Sequence, residues 1–119
     1  MSDKEKFLGE FEQVVLLALL RIGHDAYGAE IRQLLHEQVN RNVAIGALYL
    51  TLERLEKKGM VNSTLGESTP ERGGRAKRYF EVTGKGQKAL SRSRDVFNIM
   101  WQGVTLNPSD KLTVEYIDV

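Results

Sequence analysis

Apolar positions recur at helical spacing through the first half of the chain. From about Leu8 to Ile22, Phe11, Val14, Val15, Ala18 and Ile22 fall on one face. Further leucines make this segment apolar nearly all round, which predicts a helix central to the core. Gly23 is placed to end it and Asp25 to cap a second helix, roughly Tyr27 to Val39, with Ile31, Leu34, Leu35 and Val39 on its inner face. A third helix, about Ile45 to Lys58, carries Leu48, Leu52 and Leu55 as its stripe, and Gly59 stops it. Beyond Gly59 the period changes to two: Val61, Ser63 and Leu65 alternate with Asn62 and Thr64, the mark of a half-buried strand. "KRYFEV" predicts a second strand with Phe80 and Val82 inward, and "GESTPERGGRA" between the strands has the glycines and proline of a long hairpin loop. Thr83 reads as the cap of a fourth helix from Gly84 to about Val104. The tail, 105–119, shows no assignable pattern.

Three short helices and a two-stranded hairpin are the parts of a winged helix-turn-helix. The expected class is α+β, mainly α: a DNA-binding domain over 8–83, a dimerisation helix over 84–104, and the tail 105–119. Off the apolar stripe of the third helix, Ala47, Thr51, Arg54 and Lys58 form a face that is small at its start and cationic at its end. A helix fits the major groove of B-DNA, about 12 Å wide, when its leading residues are small or can contact base edges. Gly46 and Ala47 permit that approach, Tyr49 and Thr51 can donate hydrogen bonds, and Arg54 and Lys58 sit where phosphates flank the groove. Tyr49 could instead be a core aromatic beside Leu48, and Arg54 could pair with a nearby acid. The hairpin would be the wing, with Arg72, Arg75, Lys77 and Arg78 near or along it, suited to the DNA backbone or minor groove.

Charge supports that partner. The chain of 119 residues has a net charge of only +1, but residues 72–94 hold eight Lys/Arg against Glu81 alone. The segments on either side are neutral or acidic, so the basic block is local, as a polyanion contact requires. The rest of the composition narrows the class by exclusion. There is no cysteine, hence no disulfide framework or thiolate metal site. The longest apolar run, Val14 to Leu20, is far short of the roughly 18 residues of a membrane span, and the N-terminus lacks a secretory pattern. A soluble intracellular protein is expected. His24 and His36 have no second ligand in view, "TGKGQK" lacks the spacing of a phosphate-binding loop, and no nucleophile and base are assembled. Neither an enzyme nor a cofactor is expected.

The residues "LLALLRIGHDAYGAEI" (16–31), "IGALYLTLERLEKKGMV" (45–61) and "GGRAKRYFEVTGKGQKAL" (73–90) resemble the PadR-type transcriptional regulators, of the short kind with one C-terminal helix. The resemblance extends from residue 8 to about 104. It implies a bacterial cytoplasmic protein, and it matches Tyr27, Tyr49, Arg54 and the basic wing to DNA-contacting positions. Ala44 departs from the pattern, since members of this kind often have a serine there that caps the third helix. Alanine forfeits about 1 kcal/mol of capping.

On the fourth helix, Leu90, Phe97, Met100, Trp101 and Val104 make an apolar seam beyond a domain whose core is already closed, with Ser93 at a small position. Such a surplus stripe usually meets another chain, and a two-fold homodimer is the simplest closed outcome. The expected protein is therefore a homodimeric regulator, a repressor binding a palindromic operator in double-stranded DNA. An architectural DNA-binding protein with little sequence preference is the alternative. Some members of the family that this chain resembles take flat aromatic ligands between such helices. Phe97, Met100 and Trp101 are accordingly candidates for binding a small planar hydrophobic effector.

Overall fold

The computed structural model describes residues 7–68 and 76–108. The elements run α1 (Glu10–Ile22), β1 (Ala26–Tyr27), α2 (Gly28–Val39), α3 (Ile45–Lys57), β2 (Val61–Ser68), β3 (Ala76–Val82) and α4 (Gly84–Trp101). The three strands form one antiparallel sheet in the order β1-β3-β2. The core lies between this sheet and the first three helices. Leu16 and Leu19 of α1, Ile31 and Leu35 of α2, and Leu48, Leu52 and Leu55 of α3 are buried there with Met60, Val61 and Phe80.

The end of α3 shows how local chemistry sets the fold. Lys58 is the last residue near helical geometry, and Gly59 follows at φ +78°, a conformation that costs glycine little. The Gly59 and Met60 amides then donate back to the carbonyls of Glu56 and Leu55, both at 2.9 Å, the double bond of a Schellman turn. The chain is thereby aimed into β2. Thr83 caps α4 as expected, its Oγ1 accepting from the Gly86 amide at 3.1 Å while its hydroxyl donates to the Gly59 carbonyl at 2.7 Å. One threonine thus ties the start of α4 to the end of α3.

Several expectations need correction. Val39, expected on the inner face of α2, is exposed at the last position of that helix, and Leu65, expected on the buried side of β2, is exposed where the pairing with β3 becomes irregular. Asp25 does not cap α2; it turns the chain at φ +59°, and Tyr27 in extended geometry precedes the helix. The residues between form β1, where Ala26 and Tyr27 pair with Phe80 and Tyr79. The helix α1 is not enclosed all round, because Leu17 and Leu20 are exposed. Finally, α4 ends at Trp101, where the chain turns through Gly103 at φ +77°, so Val104 lies beyond the helix.

Candidate nucleic-acid interface

The outer face of α3 is rotated from the one that charge alone suggests. Thr51 is only 2% exposed, since it stands three residues after Leu48 and four before Leu55 and so shares their buried side. It cannot present its hydroxyl to a base edge. Arg54 and Lys58 turn toward α1 and meet Glu12, whose side chain is 9% exposed. The Lys58 ammonium donates to Glu12 Oε2 at 2.9 Å, and Arg54 Nε approaches the same oxygen at 3.4 Å. The other carboxylate oxygen accepts the Gly9 amide at 2.9 Å, at the start of α1. Burial alone would raise the Glu12 carboxyl, but the Gly9 amide, Lys58 and Arg54 together outweigh it and hold it below the ordinary carboxylate value. Arg54 of α3 and Lys58 just past its end are therefore engaged by their own protein, although Arg54 keeps more than half of its side chain in solvent.

The stripe that faces out is Gly46, Leu50, Glu53 and Lys57, with Ile45 and Ala47 beside its start. Ala44 precedes the helix without a side-chain cap, as its methyl group dictates. Tyr49 is half-buried, its ring tilted on Phe80 at 6.0 Å. Its hydroxyl leaves room only for a glycine at position 28, where an added Cβ would stand 2.6 Å from the phenolic oxygen. Tyr49 is thus largely a packing residue that seats α3 against the start of α2. Below the N-terminus of α3, an open polar groove of about 550 Å³ is lined by Arg32, Gln33 and His36 of α2 and by Arg41 and Asn42 of the turn. Arg32 Nε donates to the Val43 carbonyl at 2.8 Å, and His36 Nδ1 lies 2.8 Å from Asn42 Oδ1. None of these residues belongs to the face that charge and periodicity single out on α3. Their signal was Arg32 and His36 at i and i+4 on the polar side of α2, followed directly by "NRN".

On the sheet, Tyr27 and Tyr79 pack edge to face at 6.3 Å, and the Lys77 ammonium stands 3.9 Å above the Tyr27 ring centre. A cation held over an aromatic face in this way gains about 0.5–1 kcal/mol when exposed. Arg78, on the opposite face of β3, is exposed. Arg72 and Arg75 lie outside the described residues. Half of the basic block is not on the wing, for Lys85, Lys88, Arg92 and Arg94 all lie on α4 and are exposed.

A second surface is apolar. Leu90 packs against the core and so turns inward, away from the expected seam. Phe97, Met100 and Trp101 are exposed, and Val96 and Ile99 join them. Between α1 and α4 runs a groove of about 440 Å³ lined mainly by Phe7, Val14, Leu17, Val96 and Phe97. Of the three effector candidates, Phe97 lines this groove, whereas Met100 and Trp101 do not. Among the described residues, no cluster of His, Asp or Glu could hold a metal, and no helix is long and apolar enough to cross a membrane.

Residues 16–92 match the model of the transcriptional regulator PadR-like family. The chain belongs to this family. It is accordingly a DNA-binding regulator of transcription, and the family is one of regulators rather than enzymes. Its fold is similar to that of a PadR-like transcription factor from Bacteroides fragilis, at 27% identity and a TM-score of 0.67, covering 97% of this chain and 94% of that one. It is also similar in fold to a transcriptional regulator from Clostridium thermocellum, at 24% identity and a TM-score of 0.64, over 76% of this chain and 85% of that one. A PadR family regulator from Clostridium difficile gives 23% identity and a TM-score of 0.64, over 79% and 93%. No curated protein matches the chain.

Proposed function

We propose that the chain is a homodimeric repressor that reads a palindromic operator with two copies of α3, one in each half-site. The observation that carries this reading is the bare apolar surface shared by the second half of α4 and the outer side of α1. Val14 and Leu17 from one helix and Val96 and Phe97 from the other line one groove, and Met100 and Trp101 extend the apolar surface along α4. A second copy would cover this surface and set two α3 helices on one side of the assembly.

Within each copy, Gly46 and Ala47 give α3 its close approach, and Arg54, Lys57 and the wing cations Lys77 and Arg78 meet phosphates. Arg72 and Arg75 would extend the wing contact. Tyr27 acts through Lys77, whose position over its ring orients the ammonium. Arg54 and Lys58 contribute to DNA to the extent that Glu12 shares them. The groove beside Phe97 is where a planar hydrophobic effector would enter, with Trp101 close enough along α4 to report it by fluorescence quenching.

The test is binding to the region upstream of the protein's own gene against random duplex at physiological salt, followed by transcription from that promoter with the protein added. A preference of 10³-fold or more, the lower end for specific regulators, together with reduced transcription supports the repressor. Equal affinity for both duplexes selects the architectural alternative. Inserting about five base pairs between the half-sites turns one copy of α3 to the far side of the duplex, and should abolish the preference.

A further inference from the structure

The turn of α3 that leads into the groove has almost nothing with which to make a hydrogen bond. Ile45 is 43% exposed and Leu50 63% exposed, and Gly46 and Ala47 complete the outward surface. An added Cβ at Gly46 would find nothing within 4 Å, so this turn stands clear of the rest of the protein. Several of the polar side chains nearest to it already have partners within the protein or are packed away. Thr51 is buried, Tyr49 is packed on Phe80, and Arg54 and Lys58 converge on Glu12. Asn42 is bonded to His36, Arg32 to the Val43 carbonyl, and Arg41 to Glu10 at 2.9 Å.

Single exposed aliphatic side chains are ordinary on a protein surface, but here two of them, with Gly46 and Ala47, leave the outward start of α3 apolar and without a donor or acceptor. In the major groove, the base edges offer donors, acceptors and a single apolar group, the C5-methyl of thymine. We infer that Leu50 and Ile45 are specificity-determining residues, and that they read the operator through contact with thymine methyl groups instead of through hydrogen bonds. The inference rests on the reading of α3 as the helix that enters the groove. It assigns the direct readout to two residues that carry no charge and no donor. Glu53 and Lys57, one and two turns further along the same stripe, then border the contact on the side away from the helix start. The operator half-site is thus expected to carry thymines where α3 enters.

The test uses the intact protein and DNA alone. A preferred duplex is selected from a random library, and each thymine in it is then replaced singly by deoxyuridine, which removes only the methyl group. Burying one such carbon changes affinity roughly fourfold, so each thymine under α3 should lose about that much, and thymines elsewhere should lose nothing. Leu50→Ala and Ile45→Ala should erase that difference at the same positions. Both residues are exposed, so the variants should melt like the parent protein, which a thermal scan checks. Loss of the thymine-to-uracil difference in the variants supports the inference. A preferred duplex with no methyl-sensitive position, or with sensitivity unchanged in both variants, overturns the inference and leaves the operator reading intact. A library that yields no preferred sequence overturns the operator reading, and the inference with it.

Discussion

In the first half of α4, Gly86, Ala89 and Ser93 are buried and Leu90 packs against the core, whereas Val96, Phe97 and Met100, which continue the same stripe at helical spacing, are exposed. One helix with one periodicity is therefore docked for about half its length and bare for the rest. The side chains change in step. The docked part uses small residues that let the helix lie close to the chain beneath it, and the bare part uses large ones. A stripe built only to close the protomer would stop where the protomer stops. The two halves should consequently fail in different ways when altered, one in folding and the other in association.

The largest effect is expected from changing the bare half. Phe97→Glu together with Met100→Glu places two carboxylates at the centre of the proposed two-fold contact. Central aromatic and long apolar residues of an interface commonly contribute 2 kcal/mol or more, so the proposed dimer should weaken at least ~30-fold. Sedimentation velocity over a concentration series measures this, and far-UV circular dichroism should show a folded protomer. A variant that fails to fold at any concentration would mean that the bare half belongs to the protomer's own core, and the comparison would collapse.

Next comes the docked half. A Cβ on Gly86 would overlap the Met60 carbonyl and crowd Val82 Cγ1 at 2.8 Å, and the backbone cannot rotate away as a side chain can. Gly86→Ala should therefore destabilise the protomer by about 1–3 kcal/mol, the usual cost of overpacking. Urea unfolding reads it directly. Subunit affinity, once corrected for the unfolded fraction, should not change. A protomer as stable as the parent would show that α4 is not closely seated on the Met60 carbonyl.

How much of this could be read from the residues alone depends on whether the cause is local. The inner face of α3, most of that of α2, the Gly59 stop, the Thr83 cap and the positions of the two longer strands follow from periodicity and turn chemistry. Val39 and Leu65, which the same periodicity puts inside, are exposed where their elements run past the core. The strand β1 does not follow from such signals, because two residues are too few to display alternation and its partner lies more than fifty positions away. The rotation of α3 was half legible. The spacing of Thr51 from Leu48 and Leu55 already puts it on the buried side, but charge drew attention to Arg54 and Lys58. What takes up those cations is Glu12, which stands on another helix and carries no mark of its role in the sequence. The apolar surplus of α4 was visible as an excess, whereas its division at Ser93 depends on where the core ends.

The helix α1 shows the same contrast between its two sides. Toward α3 it offers Glu12, and toward α4 it offers Val14 and Leu17. Only the first contact depends on ionisation. Since the folded-state carboxyl of Glu12 lies below its ordinary value, its contribution is fully present above the unfolded carboxylate range, near 4.3, and is lost as pH falls through and below it. Glu12→Gln keeps an acceptor for the Gly9 amide but removes the charge, and should cost about 1–2 kcal/mol at neutral pH. In urea titrations repeated from pH 7 down to pH 3, the gap between parent and variant should close on acidification. A gap that is constant with pH would show that the carboxylate's charge contributes nothing.

The smallest effect is the most discriminating. Met100 is 68% exposed and continues the very stripe that buries Ala89 and Ser93. Truncating a buried methionine to alanine usually costs about 2–5 kcal/mol, whereas a substitution at an exposed site stays within about 0.5 kcal/mol. Met100→Ala separates these cases only if association is removed first, because a dimer gains apparent stability with concentration. The measurement therefore belongs in a Phe97→Glu background at a concentration where sedimentation finds monomer. There, Met100→Ala should leave the unfolding midpoint unchanged, while in the otherwise intact chain it should weaken the dimer. A loss above 1 kcal/mol in the monomer would place Met100 against its own protomer, and the boundary between the two halves of α4 would move from Ser93 toward the end of the helix.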